Sequence, residues 1–176
     1  MLKIFTTQLT GVFKKIVEDE AFSLEDGARL LAQAGAGSGT IYIFGSREMK
    51  AIEFEALEGA EPLKDAVILT KSTIEDLTDA DRVLLISRFA TDEEVNELAI
   101  LLQEKGIPFV LISTVLDEEA DCPAVNLADV HINLRLTKGL IPDEFGNRFG
   151  YPASMAALFA YYGIKFSIDE MLSEYE

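Results

Sequence analysis

The chain has 176 residues, 49% of them hydrophobic, and its 15 basic and 31 acidic side chains give a formal charge of −16. A single domain of this length buries about 70% of its unfolded surface, enough for a full core. No apolar run approaches the roughly 20 residues of a membrane span, and the acidic field repels a nucleic-acid backbone.

Leu2, Phe5, Leu9, Val12, Phe13 and Ile16 recur at helical spacing and predict a first helix over 2–17. Ser23 followed by Asp26 resembles a cap, and Leu24, Ala28, Leu31 and Ala34 continue a second helix to Gly35. A first strand over 40–44 precedes a helix at about 47–57, and a short strand over 66–70 precedes a brief helical piece at 74–77. The third strand spans 82–87. Behind it, Thr91 and Glu94 have capping-box spacing, and Val95, Leu98, Ala99 and Leu102 repeat until Gly106. Strands at 108–113 and 129–134 follow, then helices at about 152–162 and 168–175, the latter with Ser167 and Glu170 as a capping box. Short, continuously apolar strands alternating with helices indicate a parallel sheet covered on both faces. Residues 1–176 therefore read as one α/β domain, a doubly wound five-stranded parallel sheet in a flavodoxin-like three-layer arrangement.

In such a sheet the strand-to-helix turns share one edge, where ligands bind. The third strand runs through Ser87 and Arg88 into a helix start near Thr91, and the first through Gly45, Ser46 and Arg47. Unpaired N–H groups and the helix dipole at such positions attract anions. Arg47, Lys71, Arg88, Arg135 and Lys138 each lie just beyond a predicted strand end, so an acidic protein keeps its positive potential at that edge. The bland alternative pairs each with a neighbouring acid, for example Arg88 with Glu93 or Glu94. Residues 135–151 have neither helical nor strand period, and Arg135, Lys138 and Arg148 there could close over an anion or lie on a mere surface excursion.

Other chemistries lack their residues. The lone Cys122 excludes an internal disulfide and fits a reducing cytoplasm, and its acidic neighbours Asp117, Glu118, Glu119 and Asp121 raise the thiol pKa. One Cys and one His cannot build a common zinc site, so no metal is expected. The run Gly35-Ala-Gly37-Ser-Gly39 precedes a strand, the reverse of a dinucleotide fingerprint, and no cofactor is expected. His131 sits between Val130 and Ile132 within a strand, which suits a structural role better than a catalytic one.

Two leading helices, strands ending in Gly45-Ser46 and Ile86-Ser87, Thr91-Asp-Glu-Glu, Gly106-Ile-Pro-Phe-Val-Leu-Ile-Ser113 and Ala128-Asp129-Val130 follow one another in an order that resembles the SIS, or sugar isomerase, domain family, and its short phosphoheptose-isomerase-like members in particular. The resemblance covers nearly the whole chain and implies a five-stranded sheet, a homodimer, and a phosphosugar site whose phosphate is held by hydroxyls in the turns after strands one and three. The resemblance points to Gly45, Ser46, Ser87 and Thr91, and with the arginines of the same turns the expected ligand-binding set is Gly45, Ser46, Arg47, Ser87, Arg88 and Thr91. The chain departs from the family's first turn, Gly-x-Gly-x-Ser, which here reads Gly45-Ser46-Arg47-Glu48-Met49. In the second turn, Phe89, Ala90 and Asp92 replace a serine, a glycine and a threonine. A carboxylate at that position competes with phosphate for the same N–H groups, and Arg47 and Arg88 compensate with guanidinium forks.

An isomerase also needs a base of near-neutral pKa. The resemblance implies a glutamate on the helix after strand one, for which Glu53, Glu55 and Glu58 are the candidates, and a histidine near the last helix, for which there is none. Three readings remain: a cytoplasmic sugar-phosphate-binding protein, an isomerase using one of these glutamates, and a non-enzymatic interaction or regulatory protein that kept the scaffold without its ligand.

Overall fold

The computed structural model describes residues 1–117 and 121–173. Helices α1 (Leu2–Asp19) and α2 (Ala21–Ala36) lead into strand β1 (Ile41–Gly45), a 3-10 turn over Arg47–Met49 and helix α3 (Lys50–Glu58). Strand β2 (Ala66–Ile68), a 3-10 turn over Ile74–Asp76, strand β3 (Arg82–Phe89), helix α4 (Glu93–Lys105) and strand β4 (Phe109–Thr114) follow. The rest comprises helix α5 (Pro123–Leu127), strand β5 (Val130–Asn133), a two-stranded hairpin of β6 (Ile141–Pro142) and β7 (Arg148–Phe149), and helix α6 (Ala153–Ser173).

The main sheet is wholly parallel, in the order β2-β1-β3-β4-β5. Its alternating side chains feed two cores. Ile41, Ile43, Leu84, Ile86, Val110, Ile112 and Ile132 pack with α1, α2, α3 and α6, while Val83, Leu85, Phe109 and Leu111 pack with α4 and α5. Both faces are covered, so β3 and β4 are apolar in consecutive positions. This is the doubly wound α/β fold expected from the sequence.

Tertiary packing changes several predicted boundaries. The two helices expected at 152–162 and 168–175 form one, α6, because Ala156, Ala157, Ala160, Ile164 and Ile168 give an unbroken buried stripe across the proposed break. Ser167 donates to the carbonyl of Gly163, one turn back, rather than capping a new helix; residues 174 and 175 lie outside the described residues. The α4 cap is Asp92, whose Oδ1 accepts from the Val95 amide at 3.2 Å, and not Thr91. The short α5, unannounced by any periodicity, follows Cys122. Residues 135–151 are no structureless excursion: Leu136, Leu140 and Ile141 are buried, and the Tyr151 hydroxyl donates to the Leu136 carbonyl.

Gly45, at the end of β1, is dictated by closeness rather than by torsion. A Cβ on Gly45 would stand 2.3 Å from the Met49 carbonyl oxygen, because the 3-10 turn folds directly back onto the end of β1. Gly45→Ala is therefore expected to lower unfolding free energy by about 1–3 kcal/mol, measured by urea denaturation; unchanged stability would mean that the turn does not close this tightly.

Candidate functional site

The chain leaves β1 for β2 on one side and returns to β3 on the other, so the crevice beyond the carboxyl ends of β1 and β3 is the sheet's topological switch point. The Ser46 amide donates to the Ile86 carbonyl at 2.9 Å, which keeps the two strand ends paired up to the turn. Arg47 then adopts φ 52°, a left-handed conformation uncommon for a side-chain-bearing residue. Arg47 thus takes a backbone that glycine adopts more readily, at the turn that follows β1.

On the facing side, β3 carries an irregularity. Ile86 pairs with Ile112 and Phe89 with Thr114, so three steps on β3 match two on β4. This bulge carries β3 two residues past its predicted end and re-aims Ser87 and Arg88. Ser87 is fully buried, and its hydroxyl donates to the Phe89 carbonyl at 2.8 Å. Arg88 reaches across to the first turn, where its Nε meets Glu48 Oε1 at 2.6 Å, and its guanidinium lies 5.8 Å from the Phe89 ring centroid. That hydrogen bond holds the Glu48 carboxyl below its ordinary pKa and raises the Arg88 guanidinium above its own. Tyr151 packs edge-on against Phe89, and burial pushes its phenol up to about 12.

Asp92 closes the crevice. One carboxylate oxygen caps α4 and the other accepts from Ser46 Oγ at 3.2 Å, with Arg47 Nε at 3.7 Å. In front of these groups lies a half-open cleft of about 560 Å³ lined by Arg47, Arg88, Phe89, Thr91, Asp92, Glu93 and Glu94. The structure thus gathers the predicted residues at one rim in two layers. Arg47, Arg88 and Thr91 line the cleft, whereas Gly45, Ser46 and Ser87 are buried beneath it with both hydroxyls engaged. Arg88's partner is Glu48, not Glu93 or Glu94; the two are 40 residues apart, and nothing local in the sequence signals the pair.

The other candidates are engaged elsewhere. Glu53 is buried and accepts from the Gly45 amide at 2.7 Å, bracing the first turn from behind, and Glu55 accepts from the Tyr162 hydroxyl at 2.5 Å. Glu58 is exposed at the end of α3. Arg135 binds Asp19 and Glu20 at the α1–α2 junction, Arg148 donates to the carbonyls of Gly139 and Leu140, and Lys71 pairs with Glu97. Lys138 is exposed and does not line the cleft. Cys122 is buried, and burial raises its thiol pKa ahead of Asp121 and Asp117; Glu118 and Glu119 lie outside the described residues. Among the described residues no group of three or more His, Cys, Asp or Glu could hold a metal ion, and no helix is long and apolar enough to cross a membrane.

The family described as Domain of unknown function (DUF2529) matches residues 1–172. The chain belongs to that family. Its similarity to the "Uncharacterized protein YwjG" of Bacillus subtilis (strain 168) is 41% identity over 175 residues, 99% of each chain. Solved structures share the fold of this DUF2529 chain at much lower identity. The hypothetical protein MJ1247 of Methanococcus jannaschii, for which a function of 3-hexulose-6-phosphate isomerase was inferred, superimposes with a TM-score of 0.66 at 18% identity, covering 97% of this chain and 90% of that one. A phosphoheptose isomerase from Francisella tularensis gives 0.63 at 11%, with 94% of each chain covered. The Vibrio vulnificus NanR protein complexed with ManNAc-6P gives 0.58 at 15%, covering 94% of this chain, which spans only 61% of NanR. At these identities the likeness is one of fold, and the fold is that of the sugar isomerases.

His131 fills a structural place. Its Nε2 lies 2.9 Å from Ser113 Oγ, and burial, followed by the nearby Arg135 charge, lowers its pKa from 6.5 to about 4. Between those values the unfolded chain binds a proton that the folded chain does not, so stability falls as pH is lowered through that window, by up to about 3 kcal/mol at this group. His131→Gln is expected to flatten the stability profile between pH 6.5 and 4, measured by urea unfolding at each pH. An unaltered profile would show that the imidazole is not held neutral.

Proposed function

We propose that the chain binds a small phosphorylated carbohydrate in the cleft between the ends of β1 and β3, with Arg47, Arg88 and Thr91 as the contacts that reach it. The observation that carries this reading is the convergence of two guanidinium groups from separate turns on one open cleft at the switch point of a sugar-isomerase fold. Arginine forks bind phosphate oxygens in two-point fashion, and the Phe89 ring offers an apolar face beside them. Gly45, Ser46 and Ser87 serve from below by shaping the turns. NanR, 61% of whose chain shares this fold, is complexed with ManNAc-6P, and this supports the choice of ligand class.

The reading is of a binding protein first. Aldose–ketose isomerisation needs a base at the substrate carbons, and Glu53 and Glu55 hold hydrogen bonds away from the cleft. A second reading, a regulatory or interaction protein without a sugar ligand, draws on the carboxylates of Glu48 and Asp92 that already accompany the two arginines. Self-association belongs to both readings, since α1 leaves Leu2 and Ile4 exposed.

Calorimetric titration with a panel of pentose, hexose and heptose phosphates tests the choice. At least one is expected to bind, and Arg88→Ala to weaken it by about 1.5–3 kcal/mol, the range for hydrogen bonds to charged groups, with Arg47→Ala acting in the same direction. Silence from the whole panel would favour the second reading.

A further inference from the structure

We infer that Asp92 is a built-in counter-ligand, a carboxylate seated where the phosphate of an incoming ligand would dock, and that its displacement sets how tightly the site holds an anion. The inference rests on the sugar-phosphate reading and names the residue that controls that same site.

Three groups suited to an anion converge on this one side chain. Oδ1 takes the Val95 amide, one of the unpaired donors of the α4 N-terminus, at 3.2 Å. Oδ2 takes the Ser46 hydroxyl from the opposite turn at 3.2 Å and faces Arg47 Nε at 3.7 Å. The donors therefore come from two places, Ser46 and Arg47 in the turn after β1 and the Val95 amide at the α4 N-terminus, and a helix cap alone would need only the last. Ser46 is almost fully buried, so its hydroxyl is aimed inward at Asp92 and not at solvent. Arg47 keeps 76% of its side chain exposed, so its guanidinium can turn toward the cleft without breaking a packed contact.

A phosphate and the carboxylate cannot share these donors. Each of the two oxygens is committed, and a second anion within about 4 Å adds repulsion that weakens binding about fivefold per pair of unit charges even at the dielectric of water. Binding of an anion beside Arg47 therefore requires Asp92 to swing off the α4 N-terminus, which gives up its Val95 and Ser46 bonds and releases Arg47 to the ligand. The cationic groups of the cleft are paired with internal acids, Arg47 with Asp92 and Arg88 with Glu48. The cost of the exchange lowers affinity, and removing the charge at position 92 recovers it.

The test compares the intact chain with Asp92→Asn, which keeps a capping oxygen for Val95 but carries no charge, using inorganic phosphate as the probe in calorimetric titration. The variant is expected to bind phosphate about tenfold more tightly than the natural chain, and Asp92→Thr, also a competent cap, to do the same should the asparagine fold poorly. In the natural chain, added phosphate is expected to shift the Val95 amide resonance. Binding by the natural chain with no gain in either variant, or with a stationary Val95 amide, would overturn the role of Asp92 and leave the sugar-phosphate reading standing. Absence of binding by all three proteins would overturn both.

Discussion

The parallel pairing of β1 with β3 is the constraint on which the site depends. Hydrogen bonds between these strands run from Ile41 and Arg82 to Gly45 and Ile86, and the Ser46 amide continues the ladder one residue further. Two turns that are 40 residues apart in the chain are thereby brought together at one rim, with α3 leading away from one and α4 from the other. Because β2 lies on the far side of β1 and β4 on the far side of β3, no crossover obstructs the gap between them. The apolar strands that make this possible are buried on both faces, so the ladder is shielded from water along the length where it fixes the geometry.

Charge in the cleft is balanced locally against a strongly acidic background. Arg88 and Glu48 form a short bond from turn to turn, and Asp92 joins Ser46, Arg47 and the α4 N-terminus. Asp92 keeps 12% of its side chain exposed and Glu48 32%, so both carboxylates are drawn into the rim of the cleft rather than left on the open surface. Arg47 itself takes a left-handed backbone, in which a glycine would be unstrained and a residue with a long side chain is not. Glu53 and Gly45 supply the rigid backing. A buried carboxylate bound to the Gly45 amide holds the turn in place, and the absent Cβ lets the Met49 carbonyl approach.

Much of this was legible in the chain itself. Hydrophobic period and turn residues determined the α/β class, the five parallel strands and the shared edge, because burial on both faces forces a continuous apolar strand and its crossover helix whatever the neighbours. Gly45, Ser46, Arg47, Ser87, Arg88 and Thr91 could be named because each lies at or just beyond the predicted end of such a strand. Whether a named side chain faces the cleft was a matter for three dimensions. The β3 bulge turned Ser87 inward to its own backbone, Asp92 rather than Thr91 took the helix cap, and Glu48 claimed Arg88 across 40 residues. The charges gathered beyond the strand ends separated in the same way, with Arg135 drawn to Glu20 and Arg148 to carbonyls of the hairpin. Local pattern determines which elements form, since period and capping act within a few residues. The partner of each polar group is decided only when the elements pack, because a buried hydroxyl or charge takes whichever donor or acceptor the finished fold brings within reach.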